Sequence, residues 1–567
     1  MGLFENFGYY WHQWGVSAMV ADYRRSLEDP RRSQRRALRR ILRIAGDTEY
    51  GRKHGFSSIG SPDEYRARLP LVSYEDIAEL VERHRRGERD VLVPGRPGMF
   101  ARTSGTTGRS KYIPVTWRSY RDFNLGQTVW RSGVLADHRN IVGRRFLTVV
   151  SPAADEHTSA GIPCGAITGK IYTSLSPVTR RYFPVPYEVM GIDDYRTKYY
   201  MIARLAAGAD LGMIGTANAS TLLVLAEELA GNAERLARDI ERGTVSVDTG
   251  LDAGMIERIW PRLAPDPETA RRIRQVLDAG RQLKPRDLWP DLELVSVWLG
   301  GAAGFFVPRV RELYAPRSLR DPGFSASEGF FAAPLEDNTP VGAPNLGRIF
   351  MEFVPEENAE AGSPDTLLAH ELEVGRRYFL VITTAGGLYR YKMNDLVEVA
   401  GRCGTKKLSP AIRFLSKGAR ILSLTGEKVS EEQASTAAAV AARKTGLELT
   451  GFTVSVRLPA EERAGYVVAA EPAPGQPQGL LAEFLRDFEA ALQSANIEYA
   501  EKRRSMRLSA PVLLVLPAGS YRSWRAERVA GGAHDGQIKP PNLLPHDEFE
   551  RSFQPADFVT IPGDPTT

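Results

Sequence analysis

The sequence predicts an α/β protein in two parts, a large N-terminal body of mixed sheets with a small barrel-like portion, and a smaller α+β unit at the C-terminal end. Three observations lead there. The chain has 567 residues, beyond the ~250 to 300 residues at which single hydrophobic cores stop growing. Strand-like and helix-like runs alternate through its middle, the pattern of a body with substantial parallel sheet. Beyond Lys417-Gly418 the pattern restarts in the order β-α-β-β-α-β, enough for a split sandwich that folds as its own unit. The expected division is therefore 1–417 and 418–567.

Each element has a local cause. The N-terminal stretch reads as helices, with runs from Ser33 to Ala45 and from Ser73 to Arg86, and Val91-Leu92-Val93-Pro94-Gly95 reads as a strand leading into a Gly-rich loop. Arg145 to Val150 and Leu292 to Val297 are apolar runs of strand length; Tyr195 to Ala207 and Thr221 to Leu229 are helical. Residues 347–400 turn β-rich, with strands from Arg348 to Val354 and from Tyr378 to Thr384. The Ala385-Gly386-Gly387 turn joins the second of these to Leu388 to Tyr391, so an antiparallel sheet or small barrel is expected. In the C-terminal unit, Ile421 to Leu424, Gly451 to Leu458, Gly465 to Ala470 and Val512 to Leu516 read as strands. Ser430 and Gln433 make a capping box for an Ala-rich helix to Lys444, a second helix runs from Leu480 to Ala495, and Pro472 to Gly479 is a surface loop.

Composition narrows the function. With 43% hydrophobic and 25% charged residues the chain is an ordinary globular one. Its 74 basic and 69 acidic residues leave a net charge of +5, which implies no nucleic-acid partner. The densest basic run, Arg31 to Arg43, carries Leu38, Ile41 and Leu42 on one helical face and reads as a solvated helix docked by that stripe, not as a membrane or RNA contact. Cys164 and Cys403 are too few for a disulfide framework, a zinc site or an iron-sulfur site, and eight histidines form no HxH or HxxxH pair; a reducing cytoplasm fits. The opening Met1-Gly2-Leu3-Phe4-Glu5 lacks a signal pattern, and Asn6 stands where myristoylation wants Ser or Thr. No run of ~18 apolar residues is present, so no membrane span is expected. Oligomeric state is not legible.

The strongest chemical signal is Thr103-Ser104-Gly105-Thr106-Thr107-Gly108-Arg109-Ser110-Lys111. Gly105 and Gly108 let backbone N–H groups turn inward, the hydroxyls of Ser104, Thr106 and Thr107 add donors, and Lys111 supplies charge, which together suit a phosphate cradle. The spacing is not that of a Walker A loop. Four elements follow downstream. Leu299-Gly300-Gly301-Ala302-Ala303-Gly304 ends a strand with small residues, so Gly301 and Ala302 allow a flat ring to approach closely, although tight strand–helix packing explains them equally. Phe324-Ser325-Ala326-Ser327-Glu328-Gly329 suits an adenine-contacting strand in which Glu328 holds Mg²⁺ between phosphates. In Gly387-Leu388-Tyr389-Arg390-Tyr391-Lys392-Met393-Asn394-Asp395, Asp395 accepts the hydroxyls of a ribose, while Arg390 stands evenly between a phosphate contact and a structural ion pair. In Gly536-Gln537-Ile538-Lys539-Pro540-Pro541, Lys539 sits between stiff flanks as a deliverable point charge.

In this order the residues resemble the Gretchen Hagen auxin-responsive family of acyl acid-amido synthetases. The match includes Glu49 to Phe56, TSGTTGRSKYIPVT (Thr103 to Thr116), Leu288-Trp289-Pro290, SASEGFF, FMEFVP (Phe350 to Pro355), TTAGGLYRY and GQIKPP. Several of these strings have no role in general ATP chemistry. The resemblance implies a large adenylate-forming N-terminal domain, a mobile C-terminal cap, and ATP with Mg²⁺. It also implies that the loop from Ser104 to Gly108 holds phosphates, that Ser327 and Glu328 meet metal and nucleotide, that Asp395 meets the ribose, and that Lys539 neutralises the carboxylate and the α-phosphate. Two positions depart from the family pattern: Asn394 stands where Gly is usual, and Lys417 replaces a hinge Arg, which changes bidentate phosphate contact.

The expected function is that of a cytoplasmic ATP-dependent ligase that adenylates a carboxylic acid and transfers the acyl group to an amine, an amino acid being the expected acceptor. An acyl-CoA synthetase working through the same adenylate is the alternative, and a nucleotide-binding regulator is a third reading that Glu328 and Lys539 oppose. The acid pocket is expected from Trp117 to Phe123, Pro163 to Gly169, Ala217 to Ser220 and Val297-Trp298, which suits an aryl or medium apolar acid.

Overall fold

In the computed structural model of the chain, the arginine-rich run is the helix Pro30–Ala45. Asp29 caps it by accepting the N–H of Arg32 at 2.9 Å, and Ala37, Leu38, Ile41, Leu42 and Ala45 are buried along one side, so the docked reading holds. Gln34, with no exposed surface, fastens this helix to the body: its amide donates to the carbonyls of Leu346 and Ile349, each at 2.9 Å, and accepts the N–H of Met351 at 2.8 Å. The structure describes residues 3–561 except 104–110, 193, 218, 247–252, 301–306, 360–363, 419–420, 423–428, 458–464, 497–498, 501–502, 504–507, 531–539, 545–552 and 554–556.

Packing divides the chain into two units, Met1–Met393 with Val397–Phe414, and Asn394–Leu396 with Leu415–Thr567. The first unit contains the parallel sheet that the alternating pattern predicts. Its strands Arg145–Thr148, Leu211–Gly215, Leu294–Ser296 and Ser318–Arg320 lie side by side in that order, every neighbouring pair parallel. A second sheet pairs Met99–Thr103 antiparallel with Lys111–Val115 and parallel with Pro163–Gly165. The β-rich stretch takes the sheet form, eight strands running from Leu367–Leu368 at one edge to Phe324–Ala326 at the other.

Two expectations are corrected here. Val91 to Val93 are buried but form no strand, because other groups take their hydrogen bonds. The N–H groups of Leu92 and Val93 donate to His84 Nε2 at 2.9 and 3.3 Å, Tyr50 N–H donates to the Val91 carbonyl, and the Tyr389 hydroxyl donates to the Leu92 carbonyl. The hairpin after Arg377–Thr383 is also longer than a glycine turn, its return strand starting only at Tyr391. Thr384 N–H closes the loop onto the Leu388 carbonyl at 2.8 Å, and Arg390 takes a left-handed φ of +49°.

In the second unit the sheet runs Leu449–Arg457, Gly465–Pro472, Val512–Val515, Asp557–Val559. The helix Glu431–Thr445 carries the expected Ser430–Gln433 capping box and packs against Gly479–Ala495. The expected first strand does not join this sheet. Ile421–Leu422 instead forms its own ladder with Val429–Ser430, and the sheet gains Asp557–Val559, antiparallel to Val512–Val515. Leu543 is fully buried at the far edge, where Val454 N–H donates to the Asn542 carbonyl and Leu544 N–H to the Val454 carbonyl, both at 2.8 Å. Among the described residues no helix is long and apolar enough to cross a membrane.

Candidate active site

The carboxyl ends of the four parallel strands all point to one end of the first unit, the place where open α/β sheets take ligands. Ala217 follows the second strand and Trp298 the third, and they are tied by Trp298 N–H donating to the Ala217 carbonyl at 3.2 Å. Asp321 follows the fourth strand. It is buried, and its carboxylate accepts the N–H of Leu299 and the N–H of Gly323, each at 2.8 Å. Its carbonyl accepts Trp130 Nε1 at 2.8 Å. The signal for Asp321 in the sequence is Asp321-Pro322-Gly323, a turn signature in which the Asp side chain bonds two residues on.

Gly323 has a φ of +109°, and a Cβ there would meet Phe330 Cζ at 2.5 Å. That close approach sets the start of the strand Phe324–Ala326, from which the chain turns through Ser327 and Glu328 into Gly329–Pro334, with Phe330 paired to Ser325. The Phe324 ring lies 5.0 Å from Phe331 and 5.5 Å from Phe414, centre to centre, and Ser325, Ser327 and Glu328 are half-buried on the turn.

The strands on either side of the predicted phosphate loop are paired to their ends, Thr103 opposite Lys111. Lys111 Nζ lies 3.7 Å from the Glu75 carboxylate and 5.4 Å from the centre of the Tyr74 ring. Within the same sheet, Arg102 bridges Asp155 and Glu156 at 3.2 and 3.4 Å, and the Tyr112 hydroxyl donates to Glu156 at 2.7 Å. Burial and the Glu156 carboxylate push the Tyr112 phenol up to about 12. Nothing in the sequence singles out this acidic pair. Ser104, Gly105, Thr106, Thr107, Gly108, Gly301, Ala302 and Lys539 lie outside the described residues.

For Arg390 the ion pair prevails over the phosphate contact. Its Nε and Nη2 donate to Glu352, Nη2 also to Thr366 Oγ1, and Nη1 to the carbonyls of Arg66 and Leu69. Every donor of the guanidinium fork is spent inside the protein, with Arg390 6% and Glu352 0% exposed.

In the second unit Asp395 is buried in the strand Tyr391–Cys403. Asn394 before it has a φ of +55°, a conformation that Gly enters freely and Asn better than most other residues, so the turn a glycine would make is kept. Its carbonyl accepts the N–H of Gly418 at 2.6 Å, one residue past Lys417, where the strand Ser409–Lys417 ends.

The strings without an evident part in ATP chemistry pack on one another. Tyr50 stacks on Tyr389 at 5.1 Å, Phe56 meets the same ring edge-on at 5.0 Å, and Glu352 of FMEFVP pairs with Arg390 of TTAGGLYRY. Thr116 Oγ1 donates to the Ala385 carbonyl at 3.1 Å, and a Cβ on Gly386 would lie 3.1 Å from the Pro114 carbonyl, so this turn is seated on the end of the phosphate-loop string.

Family models match in the same order: GH3 family N-terminal domain over residues 20–319, GH3 family central domain over 344–417, and GH3 family C-terminal domain over 432–548. The chain belongs to the GH3 family. Among curated GH3 relatives, the indole-3-acetic acid-amido synthetase GH3.8 of Oryza sativa subsp. indica is 28% identical over 424 residues, 70% of this chain and 68% of that protein. The jasmonoyl-L-amino acid synthetase JAR4 of Nicotiana attenuata is 22% identical over 551 residues, 93% of each chain. A solved structure of the GH3.15 acyl acid amido synthetase superposes with a TM-score of 0.83 at 19% identity, covering 96% of this chain and 98% of that one, and shows that the GH3 fold is shared.

Proposed function

We propose that this GH3-family chain is an ATP-dependent acyl acid-amido synthetase: it adenylates a carboxylic acid and passes the acyl group to an amine, an amino acid by analogy with the names of its relatives. The observation that carries the reading is the match of all three family segments in order. Residues 1–417 act as the adenylation domain and 418–567 as a mobile cap. The working location is the cytoplasm.

Attack of a carboxylate on the α-phosphorus, which expels pyrophosphate before the amine displaces AMP from the acyl group, brings two anions together, so the site must supply positive charge and fixed donors. In this reading the loop from Ser104 to Gly108 wraps the phosphates, Lys539 offsets the carboxylate and α-phosphate, Phe324 to Ser327 flank the base, and Asp395 accepts ribose hydroxyls. Among the described residues no cluster of three or more His, Cys, Asp or Glu offers a metal cage. Glu328 on its turn fits Mg²⁺ in the manner of phosphate-bound ions, which take one or two carboxylates and complete their shell with phosphate and water oxygens. When bound, the ion supplies charge neutralisation at the phosphates. The second step needs no nucleophilic side chain, since positioning the amine against the activated acyl group supplies much of the rate, and a closed cap keeps water out. An aryl or medium apolar acid would lie at the end of the sheet where Ala217 and Trp298 are tied together.

The test is Lys539→Ala with acid-dependent pyrophosphate exchange. Exchange is expected to vanish with the fold intact, and full exchange in that variant sinks the reading. Incubation with ATP, a panel of acids and either amino acids or CoA, read by mass spectrometry, is expected to give amides. A thioester would assign the acceptor to CoA, and no product would remove the enzyme assignment.

A further inference from the structure

Asp321 belongs to none of the motif strings, yet it joins two of them. Oδ2 accepts the N–H of Leu299, at the entrance to the small-residue segment, and Oδ1 accepts the N–H of Gly323, at the entrance to the strand Phe324–Ala326 that leads into the turn carrying Glu328. The remaining supports converge on the same point. Trp130 Nε1 donates to the Asp321 carbonyl at 2.8 Å, Trp298 Nε1 donates to the Gly323 carbonyl at 3.2 Å, and the Phe330 ring fills the space beside Gly323. Hydrogen bonds to a buried carboxylate are stronger than neutral ones, and each oxygen here is aimed at a different segment.

We propose that Asp321 is a positioning residue that holds the Leu299-Gly300 segment and the Phe324 to Glu328 segment in fixed register, so that both meet one nucleotide. This rests on the reading above that the two segments face ATP. Asp321 touches no reacting atom; it acts by setting the turn that carries Glu328 against the Leu299 backbone. The isosteric Asp321→Asn retains one acceptor oxygen and sets an NH₂ against the other backbone N–H, so one of the two tethers is lost.

Binding of ATP in the presence of Mg²⁺, titrated by calorimetry on the full chain, reads this directly. Asp321→Asn is expected to weaken ATP about tenfold, the size of one charge-assisted hydrogen bond. Trp130→Phe keeps an aromatic side chain, smaller than the indole, and removes the N–H, and is expected to weaken ATP in the same direction by about two- to threefold; it decides the matter if Asp321→Asn does not fold. Placing Asp321→Asn in a Glu328→Gln background separates positioning from general destabilisation. Acting through Glu328, the change adds less than half of its effect in the double variant, whereas a purely structural role gives the full effect in both backgrounds and overturns the proposal. Unchanged ATP affinity in folded Asp321→Asn, or in folded Trp130→Phe where Asp321→Asn does not fold, also overturns it. Should Glu328→Gln alone leave ATP affinity untouched, the nucleotide reading of that turn fails first, an outcome distinct from a silent Asp321→Asn.

Discussion

The ring of Phe330 occupies the place where a side chain on Gly126 would go: a Cβ built there would lie 2.1 Å from Phe330 Cδ1. Gly126 sits inside the helix Trp117–Asp137, where Gly→Ala ordinarily adds about 0.5 to 1 kcal/mol of stability. The sign reverses here. Phe330 is fully buried and pressed from the other side by Gly323, so it has nowhere to move. Gly126→Ala is expected to lower the free energy of urea unfolding by about 1 to 3 kcal/mol, as overpacking does. A gain in stability would show that helix and ring do not touch.

Arg390 and Glu352 make a buried pair whose separation leaves an uncompensated charge. Arg390→Ala is expected to cost about 3 to 5 kcal/mol. Any fall in ATP affinity should therefore follow the unfolded fraction, and ATP titration at a temperature where the variant remains folded checks it. A large loss of affinity in fully folded protein would reinstate a phosphate contact for Arg390.

Asn394 carries a left-handed backbone that a β-branched residue cannot enter without strain. Asn394→Gly is expected to leave the melting temperature within a degree or two, while Asn394→Val lowers stability by about 1 to 2 kcal/mol. Equal stability of the two variants would mean that the φ of +55° is not held in solution.

His84 gives a pH dependence with a definite sign. Two backbone N–H groups donate to Nε2, so the proton sits on Nδ1 and points at the Glu88 carbonyl 3.0 Å away; the ring is neutral in the fold. Burial holds its pKa below the usual 6.5, with the Arg83 charge adding to the effect. In the unfolded chain the ring takes up a proton near its ordinary value. The contribution of His84 is therefore complete above about pH 6.5 and is lost as the pH falls from there through the lowered folded value. Stability measured from pH 8 to pH 5 should fall, and His84→Gln should flatten that part of the curve. A slope unaffected by the substitution would assign the dependence elsewhere.

Local rules were enough for the helices and the parallel strands. The Ser430 capping box, the apolar stripe of Leu38, Ile41 and Leu42, and the apolar run before Thr148 are decided within a turn or two of chain. What escaped was decided across long separations. Val91 to Val93 look like a strand until His84, Tyr50 and Tyr389 take their hydrogen bonds, and the last of these lies 297 residues from Leu92. Ile421–Leu422 reads as part of a sheet that another strand completes, because pairing partners leave no mark in a single strand's composition. At the site, glycine and hydroxyl patterns mark the phosphate loop, but the acids paired with Arg102 at a flanking strand, Asp155 and Glu156, look like any surface pair, and the role of Arg390 is decided by Glu352 beside it.

The contacts among Tyr50, Phe56, Tyr389, Glu352 and Arg390 tie together strings that lie far apart along the chain and spend their side chains on one another. They are joinery. An enzyme could exchange its preferred acid many times while these joints stay unchanged, because their polar groups are already satisfied by one another. Shared spelling at such places therefore measures common carpentry, and the choice of cargo must be sought in the side chains that the carpentry leaves free to vary.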